Sequence, residues 1–446
     1  MSTVNLLPIA NGAAVSLAEL PRLGLDEFRE AISTAPALRQ RVSALFGAQR
    51  DGKLGLYAVL ADDDSGLLQC VWTQLDDEAF PSLTRASPEV HLFEREIAEQ
   101  WGVIPLGHPW LKPVRYHKSF RPGRDAWGRS PMVEPVAGVT DFFQVAGQEI
   151  HEVAVGPVHA GVIEPGHFRF QCHGEHVFHL EIALGYQHRG VERRLLGGPD
   201  KRSIHYMETL AGDTTIGHAT AYCQIMEALG AGRTGARGCA LRGLALELER
   251  LANHTGDLGA LAGDVGFLPT ASYCGRLRGD FLNMTAVLCG SRFGRGLVRP
   301  GGTAFDLDPA RAAELGQRLD AAARDVSDAV RLLWSRPSVM ARFEDTGRIG
   351  PELAASLGLV GPAARASGLR RDVQQITPRP PAVGELDPVV AGREYAAWQR
   401  GAEAAARKHQ RDEQRRRPPR ASRRSTRSHR RRVPSAVRDR NGAVPP

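Results

Sequence analysis

From about residue 200 to 335 the chain repeats apolar residues three and four positions apart. The pattern runs through ATAYCQIMEALGA, ALRGLALELERLANHTGDLGALAGDV and ARAAELGQRLDAAARDVSDAVRLLWS. This spacing matches the 3.6-residue turn of an α-helix, and each stretch is too long for a strand. Just before it, HFRFQCHG and EHVFHLEIA alternate apolar and polar residues around Gly174-Glu175. Residues 151–181 therefore read as two or three short strands. The expectation is a mainly helical domain that carries a small antiparallel sheet.

The first 120 residues read differently. LGLYAVLADD and GLLQCVWTQL are strand-like and are separated by turn residues, while EFREAISTAPALRQRVSALFG (27–47) has helical spacing. In HLFEREIAEQWGVIPLGHPWLKPVRYH (91–117), Leu92, Phe93, Ile97 and Trp101 make one helical face. Glu94, Arg95, Glu96 and Glu99 fall on the polar remainder, with Glu94 and Glu96 read as solvated charges without a catalytic role. Residues 121–150 are rich in Pro, Gly and charge, a linker composition, and 342–373 read as loop, short helix and loop. The fold class is α+β. Residues 1–120 form a small α/β module, 121–150 a linker, 151–390 the helical domain and 391–446 a tail.

Charge is concentrated in that tail. Residues 401–446 hold 15 Lys and Arg against 4 Asp and Glu, a net of +11, so the +7 of the whole chain leaves −4 on the first 400 residues. The excess is therefore a property of an Arg-, Pro- and Ser-rich segment too poor in apolar residues to build a core. No nucleic-acid partner is expected. The start lacks a basic, apolar leader, and no run approaches the ~18 apolar residues that span a bilayer. The chain is expected to be soluble in itself, with no transmembrane segment of its own.

The six cysteines are Cys70, Cys172, Cys223, Cys239, Cys274 and Cys289, and no two are separated by only two residues. The scattered spacing suits neither a zinc ribbon nor a disulfide framework. Cys172, His173, His176 and His179 suggest a metal, but side chains alternate faces along a strand and no second ligand cluster is near in sequence. No directly bound metal is expected.

Two segments carry a family resemblance: GPVHAGVIEPGHFRFQCHGEHVFHLEIALGYQHRGVE (156–192) and ETLAGDTTIGHATAYC (208–223). The first resembles the opening of the large subunit of membrane-bound nickel–iron hydrogenases and of its relative, the 49-kDa quinone-site subunit of respiratory complex I. The 91–117 helix and its Gly-His-Pro loop resemble the 30-kDa complex I subunit, a module that some hydrogenase large subunits carry at their N-terminus. TGR…GLVGPAARASG in 342–373 resembles the same large-subunit family. In the hydrogenases the second segment holds a Cys-x-x-Cys pair, whose positions fall here on Ala211 and Thr214. A methyl group cannot donate, and a hydroxyl is a poor ligand for a soft metal site. The resemblance thus implies a hydrogenase-type scaffold without nickel–iron ligands. The Arg-rich tail stands where the family's C-terminal region belongs, as an altered reading frame or truncated gene model would leave it.

The resemblance also assigns roles. Glu164 and His167 stand on the hairpin loop that meets the metal or the quinone headgroup in the relatives, and a carboxyl beside an imidazole can move protons near neutral pH. Asp264 matches the aspartate that pairs with that histidine. The quinone-bonding tyrosine falls on Gly212, which has no side chain to donate. His188 and Arg189 lie towards the iron–sulfur cluster of a partner subunit, though Arg189 also suits a plain pairing with Glu192. Glu249, Arg250, Asn253 and His254 match a polar helix pattern with i, i+4 pairs, read as structural. Ala211, Thr214, Glu164 and His167 are expected around one cavity. The implied function is the large subunit of a membrane-associated oxidoreductase complex. It would take electrons from an iron–sulfur small subunit, pass them to a quinone-like acceptor, and sit with ion-translocating membrane subunits at the cytoplasmic face. A non-catalytic structural and ion-coupling subunit is the alternative, and no NAD pocket is expected.

Overall fold

The computed structural model describes residues 6–369, apart from 131, 137, 139, 160–164 and 231. The 391–446 tail and Glu164 lie outside the described residues.

The N-terminal half of the described chain begins with β1 (Leu7–Ala10) and α1 (Leu25–Thr34). There follow β2 (Gln40–Arg50), β3 (Lys53–Asp62), β4 (Leu67–Gln74) and β5 (Ala79–Pro81), then α2 (His91–Trp101) and β6 (Ile104–Leu106). Four strands make an antiparallel sheet in the order β1-β4-β3-β2, while β5 and β6 pair in parallel. Phe28 and Ile32 of α1, Leu56 and Leu60 of β3, Phe80, and Ile97 of α2 close one apolar core on this sheet. The helix expected over 27–47 ends early. A short 3-10 turn at Ala35–Leu38 follows α1, and residues from Gln40 enter β2. Pro36 has no N–H for a continuing helix, and pairing along β3 from Gln40↔Asp62 onward claims the following backbone. α2 reaches β2 because Gly47 lacks a side chain: a Cβ there would stand 2.5 Å from the Trp101 ring.

The polar side of α2 is not solvated as expected. Glu94 is fully buried and accepts the Ser82 hydroxyl, the Leu83 N–H and the Thr84 hydroxyl at 2.6–2.7 Å. Glu99 is also buried and accepts the N–H groups of Val114, Arg115 and Tyr116, whereas Leu92 is 42% exposed. The loops before and after α2 bring backbone donors that need acceptors, and the two carboxylates meet that need.

Three strands follow: β7 (His151–Val155), β8 (His167–His173) and β9 (His176–Ala183), antiparallel in the order β7-β8-β9. This sheet buries its polar side. Gln171 and Glu181 are buried, whereas Val153, Leu180 and Ile182 on the other face are about two-fifths exposed. Lys112 Nζ and Trp110 Nε1 reach Glu181 at 2.5 and 3.2 Å, and the Phe143 N–H bonds the same carboxylate. A bulge between Gln171 and Cys172 breaks the alternation near the hairpin end. Among the described residues, no group of three or more His, Cys, Asp or Glu side chains is arranged to hold a metal.

The rest is helical: α3 (Val191–Arg194), α4 (Ser203–Met207), α5 (Thr215–Leu229), α6 (Ala236–Asp264) and α7 (Leu268–Cys289). A small ladder of β10 (Val298–Arg299) and β11 (Gly302–Thr303) precedes α8 (Pro309–Trp334), α9 (Pro337–Phe343), α10 (Pro351–Ser356) and α11 (Gly361–Ala366). The second core joins Ile216 and Cys223 of α5, Leu248 of α6, Leu277 and Met284 of α7, and Leu297. Buried Arg242 ties α5, α6 and the ladder together. Its guanidinium bonds both Glu227 oxygens, at 2.6 and 3.2 Å, and the carbonyls of Arg299 and Gly302. Among the described residues no helix is long and apolar enough to cross a membrane.

Candidate functional site

The turn that joins α4 to α5 carries Ala211 and Thr214, and side chains from four directions hold it. Buried Glu208 accepts the Gly296 N–H at 2.7 Å and Arg299 Nη1 at 3.2 Å. Arg189 Nη2 donates to the Leu210 carbonyl at 2.6 Å. Arg278 of α7 donates to Asp213 Oδ1 at 2.7 Å, and Asn253 of α6 donates to the Asp213 carbonyl at 3.1 Å. Where α5 begins, Glu249 of α6 accepts the N–H groups of Ile216 and Gly217, at 2.7 and 3.0 Å. Helix N-termini leave such donors without an intrahelical partner, and here a carboxylate from another helix takes them.

Glu249 is only 8% exposed. Burial pushes its carboxyl up to about 7, against the downward pull of the backbone donors of Ile216, Gly217 and Thr215; Asp213 adds a further upward push. Two members of the polar helix pattern reach out to other elements, and the other two pair along α6. Glu249 caps α5, Asn253 holds the turn, and Arg250 bonds Glu247. His254 faces Asp257 at 3.8 Å. The residues around Ala211 and Thr214 offer carboxylates, guanidiniums and backbone amides in place of thiolates, a donor set that does not fit a nickel–iron pair.

His167 opens β8 and is buried. Its Nδ1 donates to the Gly156 carbonyl at 3.1 Å, its Nε2 accepts Arg169 Nε at 3.1 Å, and its ring lies 5.2 Å from that of Phe142. Both nitrogens are therefore engaged without Asp264, an exposed residue at the C-terminal end of α6. A cleft of about 320 Å³ lies at the N-terminal sheet, lined by Arg22, Leu23, Thr73, Gln74 and Asp76; none of the expected site residues is among its lining.

His188 and Arg189 follow β9 directly, and the structure brings Arg189 onto the Ala211 turn. It does not pair with Glu192, which instead bonds Arg115 at 2.6 Å. The approach of the 107–120 loop to this segment depends on Gly185. Its φ of +94° suits glycine, and a Cβ there would stand 1.9 Å from the Val114 carbonyl oxygen. The His188 ring packs against His117 at 5.2 Å. Burial, then Arg115 and His117, hold its imidazole below the ordinary histidine range.

Parts of the chain match known families. Residues 26–129 match the family described as respiratory-chain NADH dehydrogenase, 30 Kd subunit, and residues 264–379 match respiratory-chain NADH dehydrogenase, 49 Kd subunit. The chain is thus similar to the complex I 49-kDa subunit over its C-terminal part and to the 30-kDa subunit over its N-terminal part. Formate hydrogenlyase subunit 5 of Escherichia coli is 29% identical over 75% of this chain and 61% of its own length. Hydrogenase-4 component G of the same organism is 29% identical, over 65% and 54%. NADH-quinone oxidoreductase subunit 4 of Thermus thermophilus is 29% identical, over 52% and 56%. The chain spans between half and two-thirds of the length of these relatives.

Glu249, which caps the helix that begins just after Thr214, was read from the sequence as structural. Its position among Glu247, Arg250, Asn253 and His254 gave no separate signal. Nothing in the spacing showed that it faces the first amides of α5.

Proposed function

We propose that this chain is the large subunit of a membrane-associated oxidoreductase complex of the complex I and hydrogenase kind. Electrons come from an iron–sulfur partner subunit, and a quinone-like acceptor takes them beside the Ala211–Thr214 turn. The chain itself sits peripherally at the cytoplasmic face, held by ion-translocating membrane subunits. The observation that carries the reading is the turn itself. The turn that the sequence resemblance equates with the hydrogenase ligand segment is held by Arg189, Arg278, Asn253 and Glu249. Guanidiniums at an exposed turn stabilise negative charge on a bound acceptor. Glu164 and His167 are the proton-delivering pair in this reading, with Asp264 in support and His188 and Arg189 on the cluster side.

One observation favours a second reading. Both nitrogens of His167 are committed to Gly156 and Arg169, as suits a structural subunit that supports assembly and ion coupling. Turnover of the assembled complex separates the two. His167→Ala and Glu164→Gln lower electron-linked activity by about 10²-fold or more if they deliver protons. If both variants assemble and turn over normally, the structural reading replaces the first.

A further inference from the structure

The junction of the 107–120 loop with the 185–193 segment holds more titratable chemistry than packing requires. The His117 and His188 rings are 5.2 Å apart with 33° between their planes. His117 lies against Phe120 at 5.9 Å, Phe120 meets Trp101 of α2 at 5.6 Å, and the Arg193 guanidinium lies 5.0 Å over Phe120. The aromatic contacts thus run from α2 to His188.

The charges facing the pair are known from each side. Arg115 lies between Glu96 of α2 and Glu192 of α3, at 2.7 and 2.6 Å. Glu99 of α2 is occupied by the backbone N–H groups of residues 114–116. Lys118 Nζ bonds Glu134, and Arg193 Nη2 bonds the Lys118 carbonyl. His117 Nδ1 donates to that same carbonyl at 2.8 Å, which leaves Nε2 to take up a second proton. Burial, Arg115 and His117 oppose a positive charge on the His188 imidazole, and the Glu192 and Glu99 carboxylates offset only part of that opposition.

We propose that His117 and His188 form a proton-sensitive clasp between the 107–120 loop and the 185–193 segment, closed while at most one ring is charged and opened when both are. The consequence reaches the candidate site, because His188 adjoins Arg189 and Arg189 holds the Leu210 carbonyl. Opening the clasp loosens one of the four holds on the Ala211 turn. The inference stands on the junction alone and is independent of what that turn binds.

Two measurements on the full chain test it. With labelled histidines, nuclear magnetic resonance titration follows the two rings from pH 8 to 5. The clasp requires two separated steps, because the rings are coupled, and His117→Gln should move the His188 step up by about one pH unit, the scale of a lost neighbouring charge. Amide exchange then reads the opening. Protection over 185–195 should fall by about tenfold for each pH unit below the second step, one proton being linked to opening. His188→Phe, which keeps an aromatic ring, should make protection independent of pH there. A single titration step at the ordinary histidine value overturns the clasp, as does an unchanged loss of protection in His188→Phe. Should that variant fail to fold, the His188 step in His117→Gln decides, and an unmoved step overturns the proposal.

Discussion

The Glu249 carboxylate accepts the backbone N–H of Ile216 at 2.7 Å, so α6 caps the helix that begins just after Thr214. A buried acid thereby holds the start of α5, next to the Ala211–Thr214 turn. The desolvation of that acid and the amides it satisfies act in opposite directions, and this balance makes its protonation state a property of the fold.

The pH dependence of stability follows from Glu249. Its carboxyl is raised from the ordinary 4.5 to about 7 in the folded chain. Between these values the folded state binds a proton that the unfolded state has released. Stability from this group is therefore fully present below about pH 4.5 and is lost as pH rises towards 7 and above, by up to roughly 3 kcal/mol. Glu249→Gln should flatten the slope. Urea unfolding at pH 5, 6, 7 and 8 checks this, and a wild-type minus variant difference that is constant with pH would refute it.

Glu249→Ala should be costly at every pH. It leaves the Ile216 and Gly217 amides without their acceptor in a buried site, at about 1–3 kcal/mol for each unsatisfied group. Thermal unfolding of this variant beside Glu249→Gln reads the difference. Equal midpoints would show that the amides find other partners.

Glu94→Ala should destabilise the N-terminal region by about 3 kcal/mol or more, since one fully buried carboxylate serves Ser82, Leu83 and Thr84. Denaturant unfolding followed by tryptophan fluorescence reports it. A loss below about 1 kcal/mol would assign Glu94 the minor, solvated role first read from helical spacing.

Gly185→Ala tests the junction directly. The added Cβ meets the Val114 carbonyl oxygen, and the backbone sits at φ +94°. The loop must move, with an expected loss of about 1–3 kcal/mol and faster proteolysis near residues 185–195. Wild-type resistance in this variant would show that the contact relaxes freely.

The purified protein should contain no stoichiometric nickel and show no hydrogen uptake, because the resemblance sets Ala211 and Thr214 against the ligand positions and no Cys-x-x-Cys pair exists in the chain. Metal analysis by mass spectrometry after anaerobic purification is the check. One nickel per chain would overturn the alignment on which those positions rest.

The sequence by itself determined the helical stretches that became α5, α6 and α8, the hairpin of β8 and β9, and the α+β class, because hydrophobic periods of 3.6 and 2 residues are local properties. It also carried the family resemblance and the absence of any Cys-x-x-Cys pair, since these are matters of residue identity. Only the tertiary structure decided that residues 40–47 are strand, because β3 offers a partner for that backbone. Only it showed Glu94 buried, Arg189 on the Leu210 carbonyl and Glu249 on the amides of α5. Each of those contacts joins residues 10 to 33 positions apart, where no periodic pattern records which polar group will need a partner once the backbone is folded.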